Sequence, residues 1–343
     1  MASPNTNYTD IIATTIESRS KTVADNVTKN NALLMRLKKK GKIKTFSGGH
    51  KIIQELSFAE NGNAGWYSGY DTLPVAASDN ISAAEFTIKQ LAVPVVISGL
   101  EELQNAGKEK MIDLMEARLE VAEATMANYI SAGLYSDALN GVGGARSING
   151  LGEAVPAGAT SGRFATGSYG TISRASPNTW WRHYYAKDAS NTFASQQTAM
   201  NDCWSQLIRG MDRPDLIITE SLAWNVYVTG LQTLQRFAST DEAGLGFPSL
   251  KFMNADVVLD GGIGGFAGDV EGDAYSGGSV PLYTMYFLNT NYIFYRPHAQ
   301  RNMVPLSPNK RYSINQDAEV QILAWAGNMT GSGLQFQGRV GRT

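Results

Sequence analysis

Few residues in this chain are equipped for chemistry. Histidine occurs only at His50, His183 and His298, and Cys203 is the single cysteine. No histidine stands four residues from another or beside a carboxylate in the H-E-x-x-H manner, so no metal site and no cofactor are expected. One cysteine excludes an intrachain disulfide and a cysteine-rich metal centre, and Cys203 reads as a small buried hydrophobe on a helix. Neither a G-x-S-x-G elbow nor a G-x-x-x-x-G-K-[ST] loop occurs, so the signatures of serine hydrolases and P-loop enzymes are missing.

The run Gly262-Ile263-Gly264-Gly265-Phe266-Ala267 follows the apolar Val257-Val258-Leu259 and superficially fits a dinucleotide fingerprint. That motif must open a helix whose N-terminus holds a pyrophosphate. Here Asp269, Glu271, Asp273 and further glycines follow, which repel phosphate and break helices, so residues 261 to 279 read as a surface loop. An enzymatic role is not expected.

The most regular polar feature is a row of carboxylates, Glu109, Asp113, Glu116, Glu120 and Glu123, at helical steps of four and three. Catalytic carboxylate pairs need contrasting environments, and a uniform row does not provide them. The stripe is either a solvated helix face or a surface that meets something basic. Charge of the opposite sign gathers at Arg36, Lys38, Lys39, Lys40, Lys42 and Lys44. Residues 1 to 51 hold ten Lys/Arg against three Asp/Glu, although the net charge of the whole chain is only −2. This asymmetry points to an anionic partner, nucleic acid or protein.

The acidic row belongs to a helix predicted over Ser98 to Asp137, with a short first turn broken near Gly107. Ser98-Gly99-Leu100-Glu101 has the Ser-x-x-Glu spacing that satisfies free amides at a helix start. Ile112, Met115, Leu119, Ala122, Met126 and Ile130 form its apolar face. Before it, Lys51 to Phe58 and Ile81 to Ile97 read as two strands of a long hairpin around a Gly/Asn-rich tip. The tip carries Trp66, Tyr67 and Tyr70, which a two-stranded ribbon has no core to bury. They fold back on the body or dock on a neighbour.

Residues 1 to 22 read as a polar arm and Thr22 to Lys40 as a helix ending at Gly41. After the long helix, Leu139 to Thr171 is a Gly-rich loop marking a domain boundary. An α/β stretch follows, with helices over Phe193 to Arg209 and Ser221 to about Phe237 and strands at Asp215 to Thr219 and Ala255 to Leu259. Strands are expected again at Tyr283 to Leu288, Tyr292 to Tyr295, Ala318 to Trp325 and Leu334 to Val340. With 343 residues, 43% of them hydrophobic, the chain can bury a core in two or three subdomains. No apolar run reaches a membrane span and Met1 to Asp10 is not signal-like, so a soluble cytoplasmic protein is expected.

This order of parts resembles the major capsid protein of tailed bacteriophages, the shell fold shared with herpesvirus capsids and encapsulins. Ile97-Ser98-Gly99-Leu100-Glu101-Glu102-Leu103, Ile148-Asn149-Gly150-Leu151, Tyr169-Gly170-Thr171-Ile172-Ser173-Arg174, Trp180-Trp181-Arg182 and Ala318-Glu319-Val320-Gln321 through Gln337-Gly338-Arg339 carry the resemblance. It implies an α+β capsid fold with an N-terminal arm (1 to 47), an extended hairpin loop (48 to 97), a peripheral domain with a spine helix (98 to 140), an axial domain (141 to 288) and strands returning to the peripheral domain (289 to 343).

The resemblance further implies a virion protein, assembled in a bacterial cytoplasm, whose copies form pentamers and hexamers of an icosahedral head enclosing double-stranded DNA. An encapsulin-like shell around a cargo enzyme is the alternative. Portal, scaffold and decoration proteins are candidate further partners, and no membrane is. Trp66, Tyr67 and Tyr70 would lie on a neighbouring subunit. The basic cluster would pair with an acidic surface of its own or an adjacent subunit, the helix stripe being one candidate, or would touch packaged DNA. No lysine lies between Lys51 and Lys89, so the loop has none for the covalent crosslink some family members make.

Overall fold

The structure is a computed structural model and describes residues 31–104, 114–136, 144–190, 192–232, 249–260, 283–306, 311–312 and 317–342. The first described helix, α1, spans Ala32–Lys39 and starts where Asn31 turns extended and its side chain accepts from the Leu34 amide at 3.1 Å. The helix predicted over Thr22 to Lys40 does not run through Asn31, whose short carboxamide competes for the backbone and favours a cap over a helix interior; residues 22 to 30 lie outside the described residues. Arg36, Lys38 and Lys39 fill its last turn, favourable against the helix dipole, and Gly41 at φ 64° ends it.

Strands β1 (Lys51–Ser57) and β2 (Ile81–Thr87) pair antiparallel from Lys51↔Thr87 to Ser57↔Ile81. The second arm does not run on as one strand: Ile88 breaks it, and β3 (Lys89–Ser98) leaves the hairpin for another sheet. Helix α2 (Gly99–Gln104) follows, then α3 (Leu114–Tyr135) and the single turn α4 (Leu151–Ala154).

The Ser98/Glu101 capping box is formed reciprocally: the Ser98 amide donates to Glu101 Oε2 at 3.1 Å, and the Glu101 amide donates to Ser98 Oγ at 3.3 Å. Arg118 on α3 grips the same carboxylate with two nitrogens, at 2.9 and 3.1 Å, joining the two helices. That hydrogen bonding holds the Glu101 carboxyl below its ordinary range. A depressed folded-state value contributes stability above the unfolded value and loses it as pH falls. Glu101→Gln is therefore expected to be less stable than the parent at neutral pH, with the gap closing below about pH 4. Urea titrations across pH 3 to 7 check this; a pH-independent gap would refute it.

Short strands β4 (Gly162–Arg163), β5 (Ser168–Tyr169) and β6 (Ile172–Ser173) precede β7 (Tyr184–Lys187), helix α5 (Phe193–Leu207), β8 (Leu216–Thr219) and helix α6 (Ser221–Gln232). The chain continues through β9 (Ser249–Phe252), β10 (Ala255–Leu259), β11 (Met285–Leu288) and β12 (Ile293–Pro297). It ends through β13 (Val304–Pro305), β14 (Arg311–Tyr312), β15 (Ala318–Gly331) and β16 (Gly338–Gly341).

Two larger sheets result. One is mixed, in the order β4-β7-β16-β11-β8-β10-β9, with β8/β10 and β7/β16 parallel. Alternation splits its side chains: Ile217, Val257, Met285 and Phe287 pack with Met200, Cys203 and Trp204 of α5. Leu216, Ile218, Val258, Tyr286 and Leu288 face the other way and join Leu33 and Leu37 of α1 and Tyr135 of α3. The second sheet is built on the long β15, which pairs β3 along one edge and β12, β13 and β14 along the other. Helix α3 lies across β3 and β15 with Ala122, Met126 and Ile130 buried. The last strand departs from the expected return: β16 enters the mixed sheet between β7 and β11.

Candidate functional site

The hairpin is seated by its root and free at its end. Ile52, Leu56, Ala84 and Phe86 are buried, and the Phe86 ring meets Tyr169 edge-on at 5.0 Å. The Glu85 amide donates to Gly170 O at 3.0 Å, and Phe58 packs on Trp180 at 5.6 Å. Beyond Phe58 the chain makes its own polar framework: Phe58 N to Asn80 O at 3.1 Å, Asn63 N to Asn61 Oδ1 at 3.0 Å and Ser68 N to Asp71 Oδ2 at 2.8 Å. Trp66 at 106%, Tyr67 at 67% and Tyr70 at 107% relative exposure therefore stand in solvent, and Val75 is exposed as well. The aromatics do not fold back on the chain's own body. The loop tip thus presents several large aromatic side chains to solvent within five residues of one another in sequence.

The basic cluster divides into parts. Arg36 Nε reaches Asp215 at 3.2 Å, Arg36 Nη2 reaches Asp256 at 3.3 Å and Lys40 Nζ reaches Asp215 at 2.9 Å. Asp215 also accepts from the Thr290 amide at 2.7 Å and the Thr290 hydroxyl. This ties α1 to the end of the mixed sheet, an acidic partner distinct from the helix stripe. Lys38 and Lys39 are exposed. Lys42 and Lys44 lie on an extended segment that adds to β12 through the Ile43↔Tyr295 and Phe46↔His298 bridges. Their ammonium groups stand 5.2 and 4.9 Å from the Phe294 ring centroid. Replacing Asp215 by alanine is expected to cost about 2–3 kcal/mol, because it leaves partly buried donors without their acceptor. Chemical denaturation would register it, and a loss below about 0.5 kcal/mol would disprove the role, being no more than an ordinary surface substitution.

Of the acidic row, Glu109 and Asp113 lie outside the described residues, Glu116 and Glu120 are carried by the backbone of α3, and Glu123 is exposed. The Gly262–Ala267 run and residues 1 to 30 are likewise outside. His183 is buried and held neutral by burial, which pushes its pKa well down, its Nε2–H donating to Pro156 O at 2.9 Å. Cys203 is buried beneath the mixed sheet, and burial pushes its thiol up, so the thiol stays protonated. Among the described residues no group of His, Cys, Asp and Glu is placed to hold a metal, and no helix is long and apolar enough to cross a membrane.

Sequence reasoning missed Asp215, Asp256, Phe294 and Arg296, the residues that receive the basic cluster. Their local sequence carries no signal, since the contacts join positions more than 170 residues apart. The interleaving of Phe294, Arg296 and His298 along one strand was the only available hint.

A projecting hairpin, a long helix laid across a sheet built on one C-terminal strand, and a separate mixed sheet together define the α+β shell fold of tailed-phage major capsid proteins. No family model matches the sequence and no curated protein does. Among solved structures, the capsid of cyanophage A-1(L) superposes with a TM-score of 0.62 at 15% identity, over 94% of this chain and 95% of that one. The capsid of a native GTA particle superposes at 0.57 with 13% identity, over 89% of each. The SrpI encapsulin of Synechococcus elongatus PCC 7942 superposes at 0.52 with 8% identity, over 97% and 95%.

Proposed function

We propose that this chain is the structural subunit of an icosahedral phage head, assembling as pentamers and hexamers around double-stranded DNA. The observation that carries the reading is the hairpin tip: large aromatic side chains held in solvent on a locally ordered, firmly rooted arm. An arm of this kind gains free energy only by reaching another copy, and a tip-to-body contact is heterologous, the type that closes rings. Many copies make such contacts additive. In this reading residues 48 to 97 are the extended loop, 98 to 140 and most of 289 to 343 the peripheral domain, and 141 to 288 the axial domain. Virion localisation and assembly in the bacterial cytoplasm follow from the same reading, as do portal, scaffold or decoration proteins as partners.

Electron microscopy of the expressed chain tests it. Rings and closed shells are expected; a dispersed monomer under conditions of high protein concentration would overturn it. The overlay on an encapsulin favours a second reading, a nanocompartment enclosing an enzyme. Nuclease-resistant DNA in particles from the native source supports the first, and a co-purifying enzyme the second.

A further inference from the structure

The face that Lys42 and Lys44 help to build is strongly one-signed. The parallel bridges set Lys42 beside Phe294, Lys44 beside Arg296 and Phe46 beside His298, so six alternate residues of two neighbouring strands share one face. Lys42, Lys44 and Arg296 converge on the single Phe294 ring, the guanidinium at 5.6 Å from its centroid. Among the described residues no carboxylate pairs with any of the three, in contrast to Arg36 and Lys40. Burial and the charges of Lys44 and Lys40 push the Lys42 pKa down, as expected of crowded like charges lacking a counter-ion. Arg296 Nε is buried with no hydrogen-bond partner.

The hairpin tip is the complement. Residues 58 to 80 contain Glu60, Asp71 and Asp79 and no Lys, Arg or His, with Trp66, Tyr67 and Tyr70 between them, and all three carboxylates are exposed. The tip does not touch the basic face of its own chain: Trp66 and Tyr70 are fully exposed, and beyond Gln54, whose Oε1 accepts from Arg296 at 2.7 Å, the paired strands run on to Ser57, about 10 Å further, before the tip begins.

We infer that the acidic, aromatic hairpin tip of one copy docks on the basic face formed by Lys42, Lys44 and Arg296 of the next copy. The inference rests on the shell reading above and names the surface through which it works. Three carboxylates meet three cations, and the tip's aromatic rings offer π-faces to ammonium and guanidinium groups that already sit on a ring. Because donor and receptor lie at different places along one hairpin, the contact is heterologous and repeats head to tail, the arrangement that gives a ring when its rotation closes.

A charge-reversal experiment with the full chain tests it. Lys42→Glu/Lys44→Glu and Glu60→Lys/Asp79→Lys are each expected to keep the parent circular dichroism and Tm while lowering the assembled fraction at least tenfold, read by analytical ultracentrifugation. Mixed in equal amounts, the two variants are expected to assemble again, in even-membered rings only, since each can neighbour only the other. If reversal unfolds the chain, neutral Lys42→Gln/Lys44→Gln serves instead, with several-fold weaker assembly and a flatter salt dependence expected. Parent-like assembly of the lysine variant overturns the docking surface while leaving the shell reading intact. In that case, loss of retained DNA would assign the face to nucleic acid. Failure of the mixture to recover overturns it too. Failure of the parent chain to assemble at all removes both.

Discussion

In the shell reading, Trp66→Ser/Tyr70→Ser is expected to leave the isolated chain as stable as the parent and to remove its ability to assemble. Trp66 and Tyr70 are fully exposed and touch nothing in their own subunit, so Trp66→Ser/Tyr70→Ser forfeits no packing on unfolding, and surface changes of this kind stay within about ±0.5 kcal/mol. At an interface the same rings bury 150–250 Å² each, and aromatic anchors at contact centres typically cost about 2 kcal/mol or more when truncated. A loss of about 4 kcal/mol per contact raises the concentration needed for assembly by roughly a thousandfold. Denaturant titration and light-scattering assembly curves measure the two halves separately. Unchanged assembly would remove the tip from the interface, and a large fall in monomer stability would show that the rings pack on their own subunit.

The split between a silent fold and a lost assembly mirrors what the sequence made legible. Features written within a few residues were readable. The Ser98/Glu101 spacing forms its reciprocal cap, the hairpin arms begin at Lys51 and Ile81, and the tip aromatics stand where two strands leave no core to receive them. Features decided by remote pairing were not. Ile81 to Ile97 reads as one hairpin arm, yet Lys89-Gln90 shift its apolar phase from Ala84, Phe86 and Ile88 to Leu91, Val93, Val95 and Ile97, and the second half pairs with residues 318 to 327, a partner that the local sequence does not name. The basic run from Arg36 to Lys44 looks uniform along the chain, but helix geometry turns Arg36 and Lys40 toward Asp215 while an extended backbone turns Lys42 and Lys44 the other way. The last strand's entry into the mixed sheet is of the same kind, since Gly338 packs its bare Cα against Cys203 and Leu207, neighbours that nothing in the flanking residues announces.

The root of the hairpin gives the second large effect, and it acts on the fold rather than on the interface. Gly170 adopts φ 59°, a left-handed conformation, and a Cβ there would lie 2.7 Å from Phe86 Cζ and 2.9 Å from Ala84 Cβ. Its carbonyl meanwhile accepts the Glu85 amide, so the backbone cannot retreat without giving up the bond that seats β2. Gly170→Ala therefore adds about 1 kcal/mol of backbone strain to about 1–3 kcal/mol of overpacking, for an expected destabilisation of roughly 3 kcal/mol. Trimming the ring should recover part of it: in Gly170→Ala/Phe86→Leu the two costs should fall short of their sum by about 1 kcal/mol or more, because the new methyl occupies space the ring vacates. Urea unfolding of the four chains in this cycle measures the coupling. Strict additivity would place the strain in the backbone alone, and a Gly170→Ala chain as stable as the parent would mean that the hairpin root is not held against Tyr169 and Gly170.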